Sequence, residues 1–127
     1  MSRQDAPLYI RAHALARALH QRVGAWPDPQ RALLGQALVA EAMALLCGVS
    51  LALAFPKSRP DHLEEADQAL LRLRVQLRLA QDLGLLSEGA AAALHAELTD
   101  TGRMLGGWRK RERLRQKQQP SEEGRLF

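Results

Sequence analysis

The chain has 127 residues and a formal net charge of +4, which allows one domain with a single modest core and suits an anionic partner. Hydrophobic residues make up 46% and charged residues 25%, values that exclude fibrous and intrinsically disordered classes. Alanine, leucine and arginine are abundant and aromatic residues are only 4%, so the composition predicts an all-helical protein. The lone Cys47 excludes an internal disulfide and the sequence opens without a signal-peptide pattern, so we expect a cytoplasmic protein.

The first predicted helix begins near Asp5 and Pro7, a capping residue and a proline suited to a first turn. Gly24 ends it. Between them, apolar residues recur at steps of three and four and mark one buried face: Leu8, Ala12, Leu15, Leu19 and Val23.

The second predicted helix follows a proline-rich turn, with Asp28 as N-cap and Pro29 at the first helical position, and runs to about Ala54. Over residues 42–55 it has no charge and a single hydroxyl, so it is apolar nearly all round. Because such a helix is normally covered on every side, we predict a homo-oligomer with Leu46 and Leu53 at the interface. The alternative is a mild, exposed apolar surface. The uncharged run of residues 42–56 is shorter than the roughly 20 residues that cross a bilayer, so no membrane span is predicted.

The third predicted helix begins at Ser58, which has capping-box spacing to Asp61, and ends at Gly84. Its core stripe has a seven-residue pattern that is typical of neighbouring helices in a bundle: Leu63, Ala66, Leu70, Leu73, Leu77 and Ala80. Away from that stripe lie Arg72, Arg74 and Arg78, which form either a solvated face with salt bridges or an unpaired basic surface.

The fourth predicted helix is capped by Ser87 and runs for 32 residues to about Gln118. Its apolar positions are Ala91, Leu94, Leu98, Leu105 and Trp108. Because it is longer than its neighbours, its end should project from the bundle. Residues 103–117 hold seven cations and one carboxylate, a charge of +6 that leaves the rest of the chain at −2.

Three glycines, Gly102, Gly106 and Gly107, precede Trp108 inside this helix, at a spacing that lets two backbones approach closely. We expect these four residues to pack closely and to contribute to the oligomer interface. Short connections then predict an up-down-up-down four-helix bundle over residues 1–118, followed by a flexible C-terminal tail, residues 119–127.

Catalytic and metal signatures are not evident in the sequence. His13, His20, His62 and His95 stand apart from cysteines and carboxylates at metal-ligand spacing. The serines lack the context of a nucleophile, and no glycine-rich phosphate loop precedes a helix. We therefore expect a protein that binds and does not catalyse, with no metal and no cofactor.

Four segments carry a resemblance to a known family: residues 33–36 (LLGQ), 63–66 (LEEA) with 77–83 (LRLAQDL), and 102–108 (GRMLGGW). The chain resembles the accessory variability determinant (Avd) proteins of diversity-generating retroelements, which belong to a wider family of four-helix-bundle proteins. The resemblance spans about residues 8–112.

The resemblance implies a homopentameric, barrel-like assembly with basic surfaces. It also implies association with the retroelement's reverse transcriptase and with its template RNA, its cDNA or a DNA-RNA hybrid, in mutagenic retrohoming. Charge alone supplies the candidate contacts with nucleic acid or partner: Arg72, Arg74, Arg78, Arg103, Arg109, Lys110, Arg111 and Arg113.

Other functions stay open at this point. One is a structural bundle protein of the ribosomal RNA intervening-sequence type, with no polymerase partner. Another is a small DNA-binding regulator, but none of the long predicted helices resembles the short recognition helix of a helix-turn-helix. An enzyme ranks last.

Overall fold

The computed structural model describes residues 6–118, and within that range it is helical without strands. The four α-helices are α1 (Ala6–Gly24), α2 (Gln36–Ala54), α3 (Arg59–Asp82) and α4 (Glu88–Gln118). A π-helical turn, Arg31–Gly35, leads into α2, and a 3₁₀ turn, Pro56–Ser58, leads into α3. Asp5 and the predicted tail of residues 119–127 lie outside the described residues.

Contacts between α3 and α4 run in opposite directions along the two helices. The early residue Glu64 of α3 meets the late residue Arg109 of α4, whereas the later Arg74 meets the earlier Thr99. α2 packs on α3 in the same antiparallel way, and α1 meets both α2 and α4. The chain is therefore an all-α four-helix bundle, as its sequence predicts.

The predicted core stripes of α1, α3 and α4 are confirmed. Each apolar position named for α3 and α4 is buried, and so are those named for α1. α2 and α3 approach closely at Gly48, where an added Cβ would lie 3.1 Å from the Ala66 Cβ and 3.1 Å from the His62 carbonyl oxygen. Gly48 therefore permits this close approach of α2 to α3, because a side chain there would crowd Ala66 and the α3 backbone.

Two predicted helix starts are wrong in detail. Asp28 does not cap α2; its carboxylate accepts a 2.5 Å bond from Arg31, and the chain first makes the π-helical turn. Within that turn Gly35 lies against Val23 and Trp26, which leaves no room for a side chain. Ser58 does occupy the N-cap position of α3, but its hydroxyl lies 2.9 Å from His62 Nε2 and makes no capping bond.

The turn between α3 and α4 follows the sequence prediction. Gly84 adopts a φ of 77°, and the amides of Gly84 and Leu85 donate to the carbonyls of Gln81 and Ala80. This is the Schellman pattern, in which a left-handed glycine closes a helix. Ser87 then caps α4, because its hydroxyl accepts a 3.1 Å bond from the Ala90 amide.

The outer face of α2 is apolar, as predicted. Met43, Cys47 and Leu51 are exposed on it, and Leu46 and Leu53 are half-buried beside it. The continuous helical segment of residues 31–54 contains an 18-residue stretch with a mean hydropathy of 2.1, and it is long and apolar enough to cross a membrane by length and composition. This stretch is longer than the uncharged run of residues 42–56, and core helices of soluble proteins share its length and composition. The Glu41 carboxylate within this segment binds Arg72 of α3.

Candidate nucleic-acid interface

Four cations lie along the outer face of α4. Arg103, Lys110, Arg113 and Lys117 follow one another at steps of seven, three and four residues, and such steps return to the same side of a helix. All four are exposed, whereas Leu105 and Trp108 on the opposite side are buried. We call this row the basic track, and at the standard helical rise it is about 21 Å long.

The basic track makes few ion pairs with the rest of the protein, although Arg113 borders a cleft that Glu64 and Glu112 also line. Arg103 is 77% exposed and lies 3.8 Å from Asp100, a distance and exposure at which an ion pair contributes little. Among residues 6–118, no carboxylate forms an ion pair with Lys110, Arg113 or Lys117. The track therefore offers cationic groups to a ligand from outside the chain.

The track leaves the bundle at Glu112, a buried carboxylate that the sequence did not single out. Glu112 is 5% exposed and accepts from Arg115 at 2.7 Å, while the Arg59 guanidinium lies 3.7 Å away. Arg59 also donates to the Ala52 carbonyl at 2.7 Å and lies 5.5 Å from the ring centre of Trp108. Beyond this anchor, residues 113–118 are all exposed, which confirms that the end of α4 projects.

Arg109 has a structural partner on each side and does not belong to the basic track. Its two terminal nitrogens bind Glu64 at 3.0 Å and Asp67 at 2.9 Å, so it joins α4 to the first turns of α3. Arg111 is exposed and points away from the track. The four cations predicted within residues 109–113 thus lie on different sides of α4, and only Lys110 and Arg113 belong to the basic track.

The three arginines of α3 have different environments. Arg72 binds Glu41 and Glu65, so of the two alternatives the salt-bridged face is the one present at this position. The hydrogen bond to Glu41 raises the pKa of the Arg72 guanidinium above its ordinary value. Arg78 is exposed and lies 3.9 Å from Asp82. Arg74 is half-buried and crosses toward α4, where Thr99 Oγ1 accepts at 3.4 Å and the Leu98 carbonyl at 3.3 Å.

The residues of α4 that were predicted to lie at the oligomer interface also have different environments. Trp108 is 4% exposed within a single chain, so it stabilises the protomer core and leaves almost no surface for a second copy. Gly102 packs within the chain, because an added Cβ would lie 3.2 Å from Leu70 Cδ2. An added Cβ at Gly106 would meet nothing within 4 Å, and at Gly107 it would meet only Arg111 at 3.5 Å. Trp108 and Gly102 therefore pack within the protomer, and their contribution to an oligomer interface stays a prediction.

The sequence prediction missed two other surfaces. α1 holds no carboxylate, and Arg17 and Arg22 are exposed on it. On α3, Leu71, Val75 and Leu79 form an exposed apolar row at four-residue steps. Helical spacing could have revealed both, but the apolar residues of α3 were assigned only to its core stripe.

Within residues 6–118, no three histidine, cysteine or acidic side chains are grouped so that they could hold a metal ion. His62 bonds with Ser58, and His13 lies against the Tyr9 ring with a centroid separation of 6.2 Å. These contacts are ordinary packing and hydrogen bonding for helix residues.

Comparison with known proteins gives no relative: no protein family, no curated protein and no solved structure matches this chain. The fold defines the class, a four-helix-bundle protein with a basic outer row on its last helix. Any more particular function depends on the site itself.

Proposed function

We propose that this chain is a non-enzymatic RNA-binding bundle, and that the basic track on α4 contacts the phosphate backbone. The observation that carries the proposal is the row of four exposed cations, three of which have no carboxylate partner among the described residues. Lysine and arginine that neutralise phosphates release counterions, and this release supplies most of the affinity of such surfaces.

The track suits backbone contacts better than base recognition. Its length of about 21 Å matches about six nucleotides of a stacked strand at roughly 3.4 Å each. Stacking platforms for single-stranded bases use aromatic side chains, and Trp108, the aromatic residue closest in sequence to the track, is buried. Binding should therefore depend strongly on salt, show modest sequence preference, and favour RNA with an accessible backbone.

The biological setting that we propose follows the family resemblance. The chain would be an accessory protein of a diversity-generating retroelement, associated in the cytoplasm with the reverse transcriptase and the template RNA during mutagenic reverse transcription. Its gene should then lie beside a reverse-transcriptase gene and a pair of near-identical DNA repeats. A location within a ribosomal RNA intervening sequence would favour the alternative, a structural bundle without a polymerase partner.

We also propose a homo-oligomer, a pentameric barrel by the same resemblance, formed through the apolar outer face of α2. Met43 is 48% exposed and Leu51 is 40% exposed on a helix with no charge beyond Glu41. A second copy would remove this surface from water, which stabilises association in proportion to the apolar area buried.

A triple substitution tests the RNA-binding proposal. Lys110→Gln, Arg113→Gln and Lys117→Gln together should weaken binding of a fluorescein-labelled structured RNA by at least about tenfold, because three phosphate contacts are lost. The matched control is Arg17→Gln, Arg22→Gln and Arg31→Gln, which removes the same charge near the opposite end of the bundle. Equal losses in the two triple variants would show that net charge, and not the track, determines binding.

A further inference from the structure

A groove between α3 and α4 lies beside the inner end of the basic track. It encloses about 400 Å³ and is lined by Asp67, Leu70, Leu71, Arg74, Thr99, Gly102 and Arg103. Two guanidinium groups, those of Arg74 and Arg103, therefore share one groove, although they come from different helices. Both residues are among the candidate contacts predicted from charge, but their shared groove follows from the packing of α3 against α4.

The Arg74 guanidinium is only weakly satisfied within the chain. Its two hydrogen bonds, at 3.4 and 3.3 Å, are near the long limit and go to neutral oxygens of Thr99 and Leu98. The Thr99 hydroxyl itself donates to the His95 carbonyl at 2.9 Å. Within residues 6–118 no carboxylate forms an ion pair with Arg74. A half-buried cation with five donors thus has capacity for an anionic oxygen.

Gly102 keeps this groove open at the Arg74 side. A Cβ at this position would lie 3.4 Å from Arg74 Nη2 and 3.2 Å from Leu70 Cδ2. Glycine inside a helix is otherwise unfavourable, so the close approach of Arg74 gives its presence a physical reason. The absence of a side chain at this position leaves room for the Arg74 guanidinium beside α4.

The acidic residues near the groove are already engaged. Asp67 is held at 2.9 Å by Arg109, and Asp100 lies 3.5 Å from Arg11 as well as 3.8 Å from Arg103. Neither carboxylate pairs with Arg74. The groove is therefore electropositive at its floor, although one of its walls contains a carboxylate.

We propose that this groove receives one phosphate group of the bound RNA, held by Arg74 at the floor and Arg103 at the rim. The inference rests on the proposed RNA-binding function and assigns the groove as the innermost phosphate site of the same surface. Arginine suits this position because its planar fork can give two parallel hydrogen bonds to phosphate oxygens. The ligand then runs from the groove outward along Lys110, Arg113 and Lys117.

Two variants test the groove with the intact chain. Arg74→Gln removes the charge, and Gly102→Ala places a methyl group against Arg74 and Leu70. Each should weaken the binding of a labelled hexauridylate about tenfold, the usual effect of losing one charge-assisted contact. Arg22→Gln and Gly89→Ala are the controls, since Arg22 is on α1 and a Cβ at Gly89 meets nothing within 4 Å. Circular dichroism melting shows that each variant is folded.

A chemical readout locates the phosphate independently of affinity. Phenylglyoxal modifies arginine guanidinium groups, and peptide mass spectrometry measures the rate at Arg74. Hexauridylate should slow that modification severalfold, and inorganic phosphate at millimolar concentration should slow it as well.

Each outcome is decisive. Slower Arg74 modification together with weaker binding by Arg74→Gln and Gly102→Ala supports the groove. Protection by inorganic phosphate but not by hexauridylate, or wild-type affinity in both groove variants, overturns it. If these variants bind normally while the Lys110, Arg113 and Lys117 triple variant does not, the groove fails and the proposed function stands. If the triple variant binds normally and the groove variants do not, the track assignment fails instead.

Discussion

Arg59 and Glu112 form an ion pair at 3.7 Å that joins the first turn of α3 to the last buried turn of α4. Both side chains are largely shielded from water, with relative exposures of 16% and 7%. Removing the carboxylate from such a pair leaves a buried cation without its counterion. We therefore expect Glu112→Ala to lower the free energy of unfolding by about 3 kcal/mol, as measured by urea denaturation.

The control for that prediction is Glu97→Ala. Glu97 lies on α4, as Glu112 does, but it is exposed and pairs with Arg11 of α1. Its expected cost is below about 1 kcal/mol, because solvent screens exposed pairs. Similar losses in the two variants would show that Glu112 is not the anchor of the α4 end.

The glycines of α4 should respond differently to alanine. Gly106→Ala should raise the free energy of unfolding by about 0.5 to 1 kcal/mol, because a Cβ there meets nothing within 4 Å and alanine favours the helix. Gly102→Ala should gain less than this or lose stability, because its methyl group would approach Leu70 and Arg74. Thermal melting of the two single variants measures the difference, and a larger gain at position 102 than at 106 would be inconsistent with the close packing of Gly102.

The oligomer proposal is tested by charge at the outer face of α2. Met43→Glu or Leu51→Glu should dissociate the assembly, because both side chains are exposed in the protomer and would be buried by a second copy. Light scattering would then report a mass near the 14.1 kDa of one chain, with helicity retained. A wild-type protein that already has this mass would refute the oligomer.

Leu71→Glu is the matched control for the oligomer, since Leu71 is an exposed leucine on α3 instead of α2. Dissociation by Leu71→Glu alone would move the interface to the apolar row of Leu71, Val75 and Leu79. Binding of the wild-type protein to vesicles without charged lipids would instead indicate that the apolar face of α2 meets a membrane.

The helices and their buried faces could be predicted because they depend on local periodicity and on caps such as Ser87 and Gly84. The pairing of charged side chains could not be predicted in this way. Arg72 binds Glu41, 31 residues away, and Arg109 binds Glu64, 45 residues away, so their neutralisation follows from tertiary packing. For the same reason a count of cations in residues 103–117 overstated the number available to a ligand.

The start of α2 and the burial of Glu112 also could not be predicted from the local sequence. Asp28 and Pro29 have the sequence of a helix start, but the packing of Gly35 against Val23 and Trp26 accompanies a wider π-helical turn. Glu112 lies in a basic segment that suggests solvent exposure, and Arg59 from another helix accounts for its burial. In contrast, the basic track could have been found from the spacing of its four cations alone.

The salt dependence of RNA binding tests the central claim most directly. The logarithm of the association constant for a single-stranded RNA should fall with the logarithm of salt concentration at a slope of about −3, as about four phosphate contacts require. In the Lys110→Gln, Arg113→Gln and Lys117→Gln variant the slope should shrink to about −1, because three contacts are lost. A slope and an affinity that are unchanged in this variant would contradict the assignment of the basic track as the RNA-binding surface.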